Sequence, residues 1–341
     1  MAYLIGTDEA GYGPNLGPLA MAGTLWRVPE GVDGQRLYEL LPGICAPGVR
    51  NLQHEATRHE ATRQEATRQE ATLCIGDSKS LYRAASGLGA LERGVFAAMA
   101  AASGEGRMWF PGTWRELLVG CDKACTGVLE TVPWYSDFEG SIPVAASAGA
   151  IASGQRVLRE ALAASHVELV AIRVRLVFPE EFNHRVRACG SKGRALSVWM
   201  LELVERLLQP ITTGKVLLQS DKHGGRNRYG PLLQQVFPDY LIEIREETRR
   251  QSSYCWGPPS RRVEAQFVAK GERFLPAALA SMFSKYLREL AMRAFNEFWQ
   301  QHVFKLRPTA GYPVDAKRFR QEIQAKQREL GISDRVLWRD R

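Results

Sequence analysis

Apolar segments that end on acidic residues are the sequence feature that most restricts how this chain can fold. The segment AYLIGT, at 2–7, is followed directly by Asp8 and Glu9, and the segment KVLLQSD, at 215–221, ends on Asp221. A short apolar run that is bounded by glycines or polar residues is typical of a buried strand. The two segments therefore predict strands of one buried sheet, each with an acid at its carboxyl end.

The other periodic segments of the chain alternate between strands and helices. Strands are predicted at 19–26 and 167–178, and a β-hairpin is predicted within 241–269, around the turn formed by Gly257, Pro258 and Pro259. Helices are predicted at 92–102, 154–165, 196–208, 276–300 and 315–328. This alternation predicts an α/β fold with a central mixed β-sheet flanked by helices, and a helical C-terminal part at about 274–341.

Three segments interrupt the pattern, and we interpret them as insertions into a single domain that spans 1–341. They lie at about 47–72, 103–153 and 223–262. The first contains a five-residue repeat, HEATR-HEATR-QEATR-QEAT, at 54–72. A period of five turns about 140° per repeat on a helix and builds no apolar stripe, so a solvated insertion is favoured over an interaction arm.

Composition limits the class of protein. The chain has 341 residues, of which 45% are hydrophobic, and its net charge is +8, which favours an anionic partner such as nucleic acid. The N-terminus lacks the pattern of a signal peptide, and no apolar stretch reaches the roughly 20 residues of a membrane span. We therefore expect a cytoplasmic protein without a membrane partner, and a monomer by default.

The cysteines give no sign of a zinc site. The chain contains six of them and no Cys-x-x-Cys pair, and no nearby histidine pair accompanies Cys121 and Cys125, which are four residues apart. Scattered reduced thiols are the simplest interpretation. The six are Cys45, Cys74, Cys121, Cys125, Cys189 and Cys255.

Several acids follow or precede different predicted elements, and together they suggest a metal site. Neighbouring side chains on a strand point to opposite faces, so Asp8 and Glu9 would need a bend or bulge to share one site. Repulsion between adjacent carboxylates would be relieved by a divalent cation. Asp77 lies in IGDSKSL and Glu272 lies just before the long helix at 276–300. Carboxylate clusters suit Mg²⁺ or Mn²⁺. The alternatives are an ordinary polar turn at Asp8 and Glu9, and an isolated surface acid for each residue alone.

Five motifs, in order along the chain, resemble those of the ribonuclease HII/HIII family. GTDEAGYGPNLGPL, at 6–19, resembles the opening strand and its Asp-Glu-Ala/Val-Gly-x-Gly sequence, and IGDSKSL, at 75–81, resembles the Asp-Ser-Lys-x-Leu motif. KVLLQSD resembles the strand that ends on the third acid, and the segment 268–289 resembles the Lys-Gly-Asp turn with its Ser-x-x-x-Lys-x-x-Arg helix. TAGYP, at 309–313, resembles the His-Lys-Gly-Tyr-Pro segment.

The resemblance implies a ribonuclease H-like catalytic domain that hydrolyses the RNA strand of RNA–DNA hybrids, leaving 5′-phosphate and 3′-hydroxyl ends. It implies that Asp8, Glu9, Asp221 and Glu272 are the catalytic residues and hold one or two Mg²⁺ or Mn²⁺ ions. It also implies a set of substrate-binding residues. These are Gly11, Tyr12, Gly13, Ser78, Lys79, Ser281, Lys285, Arg288 and Tyr312.

The chain departs from the family pattern at positions that bear on the substrate. Tyr12 stands where Arg, Lys or Thr is usual, in the loop that contacts the strand near the scissile ribonucleotide. Glu272 replaces the usual Asp, and Thr309 and Ala310 replace His and Lys. Three alternatives therefore stay open: hybrid cleavage, a related nuclease with another nucleic-acid substrate, and a nucleic-acid-binding protein without catalysis.

Other residues are candidates on spacing or composition. Ser281, Lys285 and Arg288 follow one helix face, which would present a hydroxyl and two cations to a phosphate. Tyr312 would either bind a 2′-hydroxyl or lie in the core. Asp77 is expected to support the site, and His223 is the candidate for an auxiliary catalytic group.

The predicted hairpin is a further candidate for nucleic-acid binding. Tyr254 and Trp256 would stack on bases, beside the basic residues Arg261 and Arg262, or the hairpin would simply be exposed.

Overall fold

A computed structural model describes residues 1–46, 72–82, 87–102 and 110–340. A seven-stranded sheet lies at its centre, with the strands in the order β5-β2-β1-β6-β9-β8-β7, and β3 and β4 form a separate two-stranded sheet. The strands are β1 (Ala2–Ala10), β2 (Leu19–Val28), β3 (Ile44–Cys45), β4 (Leu73–Cys74), β5 (Glu168–Val177), β6 (Val216–Asp221), β7 (Glu243–Glu247), β8 (Gln251–Trp256) and β9 (Val263–Val268).

The central sheet is mixed. Strand β1 pairs antiparallel with β2 and parallel with β6, and β6 pairs parallel with β9. The outer pairs β2–β5, β8–β9 and β7–β8 are antiparallel. The two parallel pairs bring the carboxyl ends of β1, β6 and β9 to one edge of the sheet, where the predicted acids lie.

Helices cover both faces of the sheet. In the described residues they are α1 (Arg36–Leu40), α2 (Ser78–Leu81), α3 (Gly89–Ala102), α4 (Trp114–Cys121), α5 (Thr126–Thr131), α6 (Pro133–Ser136), α7 (Ala148–Ser165), α8 (Pro179–Cys189), α9 (Lys192–Leu208), α10 (Gly230–Val236), α11 (Leu275–His302), α12 (Pro313–Glu329) and α13 (Asp334–Leu337). Short 3-10 helices occupy Lys123–Cys125, His223–Gly225, Pro259–Arg261 and Gly271–Arg273.

Helix α11 forms the centre of one core and α9 the centre of the other. Leu4 and Trp26 point to the same face as α11, α3 and α7, whereas Ile5 and Leu25 point to the face covered by α9 and α10. Strand alternation explains this division, since consecutive residues of β1 enter different cores. The close crossing of α11 over β1 depends on Gly6, because a Cβ there would lie 2.1 Å from the backbone nitrogen of Ala277.

The mixed sheet with helices on both faces confirms the predicted α/β class. The predicted helices and the first two strands are found with longer bounds, the strands predicted at 167–178 and 215–221 are slightly shorter, and the helix expected at 276–300 is α11. The hairpin expected within 241–269 consists of three strands, β7 to β9, so part of the presumed insertion at 223–262 adds two strands to the central sheet.

The other two presumed insertions are described only in part. The described part of 103–153 contains α4, α5 and α6 and the start of α7. Nearly all of the five-residue repeat, together with the rest of 47–71, lies outside the described residues. Within the described ranges, no helix is both long enough and apolar enough to cross a membrane.

Candidate active site

The pairing of β1 with β6 brings two of the predicted acids together. The register aligns Thr7 with Ser220, and the Thr7 hydroxyl donates to the Ser220 hydroxyl over 2.8 Å. Asp8 and Asp221 are the next residues of these parallel strands, so they occupy neighbouring positions at the same carboxyl edge. The adjacency follows from the parallel register, which the sequence alone does not specify.

A glycine brings the fourth predicted acid to the same edge. Strand β9 ends at Val268, and the chain passes through Lys270, in a left-handed conformation with φ 63°, into the 3-10 helix Gly271–Arg273. The backbone N–H of Gly271 donates to Oδ1 of Asp221 over 3.1 Å. A Cβ on Gly271 would lie 2.4 Å from the backbone nitrogen of Asp221, so only glycine permits this approach. Glu272 is thereby carried on a turn that rests directly on Asp221.

Asp8 and Glu9 remain on a regular strand. Both pair with β2 without a register shift, Asp8 opposite Ala22 and Glu9 opposite Met21. Alternation therefore turns Asp8 toward α11, where Ser281 bonds its carboxylate, and turns Glu9 toward the other face. The bend or bulge that convergence would need is not found here. Consistently, no three His, Cys, Asp or Glu side chains in the described ranges lie close enough to form a ready-made metal site.

The acids nevertheless influence one another strongly. Burial raises the pKa of Asp8 above its ordinary value, and the charge of Asp221 raises it further, against the bond from Ser281. Burial likewise raises the pKa of Glu9, followed by the charges of Asp8 and Asp221. Such shifts mean that the ionised carboxylates are poorly compensated by the protein itself. Perturbed carboxylates grouped at the end of a sheet are typical of functional sites.

Lys79 is a cation whose charge interacts with this cluster. Although burial acts to lower it, the pKa of Lys79 is raised by the charges of Asp77, Asp8, Glu272 and Asp221. One ammonium group therefore balances only part of the negative charge. The remaining excess fits a divalent cation better than a second lysine, because several oxygen ligands can share such an ion.

The motif Asp77-Ser78-Lys79 fixes the position of that lysine. Asp77 caps α2 by accepting a hydrogen bond from the backbone nitrogen of Lys79 over 3.1 Å. Ser78 contacts α11 twice: its backbone nitrogen donates to the Ser281 hydroxyl over 3.3 Å, and that hydroxyl donates to the Ser78 hydroxyl over 3.0 Å. Ser281 thus joins α2 to the acidic edge, and Asp77 supports the site through the backbone.

The basic residues of the α11 face are engaged by the protein. Lys285 pairs with Glu289 over 2.5 Å and lies 4.5 Å from the centre of the Tyr82 ring. Arg288 is buried, and its guanidinium donates to the carbonyls of Pro18 over 3.0 Å and Ala310 over 2.9 Å. The expectation that Arg288 presents a cation to a phosphate is therefore corrected, because the packing of α11 turns it inward.

The loop that follows the two acids is held by distant parts of the chain. Gly11 has φ +89°, and a Cβ there would lie 2.7 Å from Cδ of Arg288. The Nη2 of Arg339 donates to the Gly11 carbonyl over 2.6 Å and also to the Pro14 carbonyl. Asn15 donates from Nδ2 to the backbone carbonyl of Arg339 over 2.9 Å. Sequence reasoning missed Arg339, which lies far from the loop in the chain and belongs to none of the motifs.

Tyr12 and Tyr312 lie on different sides of this loop. Tyr12 is half-buried, with the Lys192 ammonium 4.8 Å from its ring centre, and burial followed by the Glu9 charge raises its pKa. Tyr312 is 58% exposed, and its ring lies near Gly13, where a Cβ would be 3.6 Å from Cε1. Of the two alternatives for Tyr312, the core position is excluded by this exposure.

His223 does not reach the acidic edge as a free group. Its side chain is 2% exposed, and its ring lies 3.3 Å from the Ser197 hydroxyl and 3.5 Å from that of Ser220. Burial lowers the pKa of His223 to about 3, followed by the charge of Arg226, so the ring is neutral at ordinary pH. The expected auxiliary catalytic role is corrected to a structural one, because the side chain is enclosed beneath the end of β6.

The predicted stacking surface of the hairpin is also corrected. Tyr254 and Trp256 are each 1% exposed, because β8 is an interior strand of the sheet and both rings enter the core around α10. Arg261 donates to the Ile211 carbonyl over 2.9 Å, and Arg262 donates to the Gly257 carbonyl over 3.0 Å. These side chains stabilise the end of the sheet.

Two cavities adjoin the acids and carry basic residues at their rims. One of about 640 Å³ is lined by Asp77, Glu272, Lys270 and Arg273, among others. Another of about 430 Å³ is lined by Asp221, Lys270 and Arg249, among others. Lys270, Arg273 and Arg249 are exposed. The acidic edge is thus open on two sides, and each opening has cations that a polyanion would meet.

Comparisons with known proteins give structural similarity only. No family model matches the chain, and no curated protein sequence matches it. Among solved structures, ribonuclease H2 from Pyrococcus horikoshii OT3 has a TM-score of 0.40 at 13% identity, covering 98% of this chain and 92% of that one. RNase HII from Archaeoglobus fulgidus, solved in a complex with PCNA, has a TM-score of 0.40 at 15% identity, covering 99% and 94%.

A third solved structure, RNase H3 from Aquifex aeolicus, has a TM-score of 0.36 at 12% identity and covers 98% of this chain and 70% of its own. TM-scores and identities of this size carry no argument about activity. Any assignment of function therefore rests on the motifs and on the geometry of the acidic edge.

Proposed function

We propose that the protein is a metal-dependent endonuclease that hydrolyses the RNA strand of RNA–DNA hybrids. The observation that carries the proposal is the acidic edge itself: Asp8 and Asp221 occupy neighbouring positions near the carboxyl ends of adjacent parallel strands, and the Gly271 turn sets Glu272 against Asp221. The same residues fall on the acidic positions of the five ordered motifs. The motifs add Glu9, which follows Asp8 on β1 but points to the other face of the sheet.

The donor set fits a hard divalent cation. Asp8, Glu9, Asp221 and Glu272 supply only oxygen ligands, which Mg²⁺ and Mn²⁺ prefer. Burial and mutual repulsion raise the pKa of Asp8 and of Glu9, so a cation would relieve an existing electrostatic cost. These four residues would hold the metal, which when bound supplies Lewis-acid stabilisation of phosphoryl charge and lowers the pKa of water.

The protein's own residues would perform the remaining tasks of binding and orientation. Asp77 and Ser281 hold α2 so that Lys79 faces the acids, where its ammonium would limit repulsion between carboxylate and phosphate. Lys270 and Arg273, exposed at a cavity rim, would contact flanking phosphates. Tyr312, exposed beside Gly13, would contact a sugar and its 2′-hydroxyl. Water attack in line at phosphorus would leave a 5′-phosphate and a 3′-hydroxyl.

A related nuclease with another nucleic-acid substrate is the second candidate. It is favoured by Tyr12, whose half-buried ring lies under Lys192 where the motif usually has a flexible or hydroxylated side chain. A ring held in this way presents less hydrogen-bonding capacity to a ribose than an arginine or threonine would. The chemistry at the acids would be the same, and only the choice of duplex would differ.

One assay separates these candidates from a binding protein without catalysis. Purified protein with Mg²⁺ or Mn²⁺ is offered an RNA–DNA hybrid, a DNA duplex with one embedded ribonucleotide, and plain double-stranded DNA. We expect cleavage of the hybrid with 5′-phosphate and 3′-hydroxyl ends. Cleavage of plain DNA alone would favour the second candidate, and binding without cleavage of any duplex would refute the enzyme.

A further inference from the structure

Two cysteines that are distant in sequence lie side by side in the small two-stranded sheet. Strands β3 and β4 are parallel, and Cys45 is the register partner of Cys74. In-register residues of a parallel pair point to the same face, and neighbouring strands lie about 4.8 Å apart. A disulfide spans Cα atoms about 4.4–6.8 Å apart, so the backbone already has a suitable separation. Both thiols are free and partly exposed.

The two side chains also influence each other's ionisation. A hydrogen-bonding interaction with the Cys74 thiol lowers the pKa of Cys45 to about 7 against the effect of burial, and the charge of Arg93 adds to the lowering. The same bond raises the pKa of Cys74. Cys45 is therefore the thiol that ionises first, and the Cys74 sulfur lies next to it. A thiolate beside a second thiol is the arrangement that thiol–disulfide exchange requires.

The backbone around the pair is fixed by a ladder of hydrogen bonds. The Leu73 nitrogen donates to the Gly43 carbonyl over 2.8 Å, and the Ile75 nitrogen donates to the Cys45 carbonyl over 3.0 Å. The Tyr38 hydroxyl donates to the Ile75 carbonyl over 3.0 Å. Formation of a disulfide would therefore need rotation of two side chains rather than movement of the strands.

We propose that Cys45 and Cys74 form a redox-active dithiol that a low-molecular-weight disulfide oxidises to an intramolecular disulfide. The Cys45 thiolate attacks one sulfur of the external disulfide, forming a mixed disulfide and releasing one thiolate. The Cys74 thiol then loses its proton to solvent and attacks the Cys45 sulfur, which releases the second thiolate. The dithiol loses two electrons and two protons overall, and the external disulfide is reduced to two thiols.

The position of the pair connects it to the acidic edge. Cys45 lines the same cavity of about 640 Å³ as Asp77 and Glu272, and Cys74 lies three residues before Asp77. A disulfide would join β4, which leads into the α2 motif, covalently to β3. The proposal does not depend on the nuclease function, since it concerns thiol chemistry alone.

The chain contains its own matched control for this chemistry. Cys121 and Cys125 form a second pair, only four residues apart, but burial is the main cause that raises the pKa of each to about 12. Their sulfur atoms should therefore stay protonated and unreactive under conditions that ionise Cys45. A difference in oxidation between the two cysteine pairs would therefore reflect the local chemistry of Cys45 and Cys74 rather than a general access of the reagent to thiols.

The test treats the full-length reduced protein with excess glutathione disulfide at neutral pH. Remaining thiols are then alkylated, and the protein is digested and examined by mass spectrometry. We expect loss of two of the six thiols and a peptide in which Cys45 is linked to Cys74. Dithiothreitol should restore both. Absence of this link, or a link between other cysteines, would overturn the proposal.

Single substitutions test the order of the two steps. In Cys74→Ser the resolving thiol is absent, so a stable glutathione adduct should accumulate at Cys45. Cys45→Ser should stay largely unmodified at Cys74, and Cys125→Ser should form the Cys45–Cys74 link as the parent protein does. If the parent protein kept a glutathione adduct at Cys45, Cys74 would not act as the resolving thiol and the proposal would be wrong. It would be equally wrong if Cys45 did not react at all.

Discussion

Two groups of buried charge flank the loop between Asp8 and Pro18, and the protein treats them differently. At the edge of the sheet, burial and mutual repulsion raise the pKa of Asp8 and Glu9, and Lys79 balances only part of their charge. On the other side of the loop, Arg288 and Arg339 are fully buried, whereas Asp8 and Glu9 keep some exposure to solvent. The arginines, however, donate to backbone carbonyls of the loop and its surroundings.

The difference indicates which group serves function and which serves structure. A buried charge that is bonded within the protein holds its partners in place and is costly to remove alone, whereas an uncompensated charge destabilises the fold and is retained for another reason. The acids have the properties of a site whose charge a bound ligand would neutralise. The arginines have the properties of structural residues that hold the loop in its conformation. Substitutions on the two sides should therefore separate activity from stability.

The largest expected effect is the loss of activity in Asp8→Asn. Removing one carboxylate from the proposed metal site should lower the cleavage rate more than about a hundredfold, since metal-ion stabilisation of the transition state is worth several kcal/mol. The fold should survive, and the metal-free protein should melt at the same temperature or higher, because a repelled carboxylate is removed. Cleavage assays and thermal melts measure the two effects separately.

The control for Asp8→Asn is Glu264→Gln, which neutralises an exposed acid on β9. It should cleave at close to the parent rate. Parent-like cleavage by Asp8→Asn would remove the acidic edge from consideration as the active site. A strong fall in the melting temperature of Asp8→Asn would show instead that Asp8 stabilises the fold. The distinction between functional acids and structural arginines would then be wrong for the acids.

On the other side of the loop, Arg288→Met should reduce stability. The substitution leaves the carbonyls of Pro18 and Ala310 without their donor, and unpaired buried polar groups cost about 1–3 kcal/mol each. We expect the free energy of unfolding to fall by about 2–4 kcal/mol in urea titrations. Arg293→Met on the same helix is the control, because that arginine is half-exposed and pairs with Glu297 at the surface. Its cost should be about 0.5 kcal/mol or less; equal losses would contradict the structural role of Arg288.

Gly271→Ala tests the contact between the Glu272 turn and Asp221. A Cβ would lie 2.4 Å from the Asp221 nitrogen, so the turn must move away, at a cost of about 1–3 kcal/mol. Cleavage should fall more than stability, because the displaced turn carries Glu272. Gly127→Ala, where a Cβ meets nothing within 4 Å, should leave both unchanged. If Gly271→Ala cleaved normally, Glu272 would not belong to the site.

The identity of the acids could be predicted from the sequence, but their arrangement in space could not. Strand ends and motif order predicted Asp8 and Asp221, whereas their adjacency depends on the β1–β6 register. The third strand of the C-terminal hairpin region was missed because the turn between β7 and β8 has no glycine, proline or asparagine. Hydrogen bonds of Thr248 to Gln251 close that turn instead.

The inward orientation of Arg288 was missed for a different reason. The spacing of Arg288 and Ser281 predicts that both lie on one face of α11. It does not predict which loop covers that face. Tertiary contacts decide such orientations, and the loop is folded by residues more than 300 positions away, as the Asn15–Arg339 bond shows. Periodicity describes one element at a time, so it carries no information about partners of this kind.

Arg339→Met should have the smallest effect on stability. It compares the two buried arginines, Arg339 and Arg288, with each other. Burial lowers the pKa of Arg339 well below its ordinary range, and the charge of Arg288 lowers it further. Among the described residues its Nε and Nη1 have no hydrogen-bond partner, whereas Arg288 has the neighbouring charge of Glu289. Replacing a poorly compensated buried ion with an apolar side chain of similar volume is often neutral.

The lost bonds to Gly11 and Pro14 and the relief of repulsion should therefore nearly cancel. We expect the free energy of unfolding to change by less than about 1 kcal/mol, in contrast to Arg288→Met. The double variant should be more destabilised than the sum of the two, since each single variant relieves the same repulsion, which the double variant can relieve only once. If Arg339→Met lost as much stability as Arg288→Met, the bonds to the loop carbonyls would be worth more than the relief of repulsion between the arginines. Both arginines would then stabilise the loop equally.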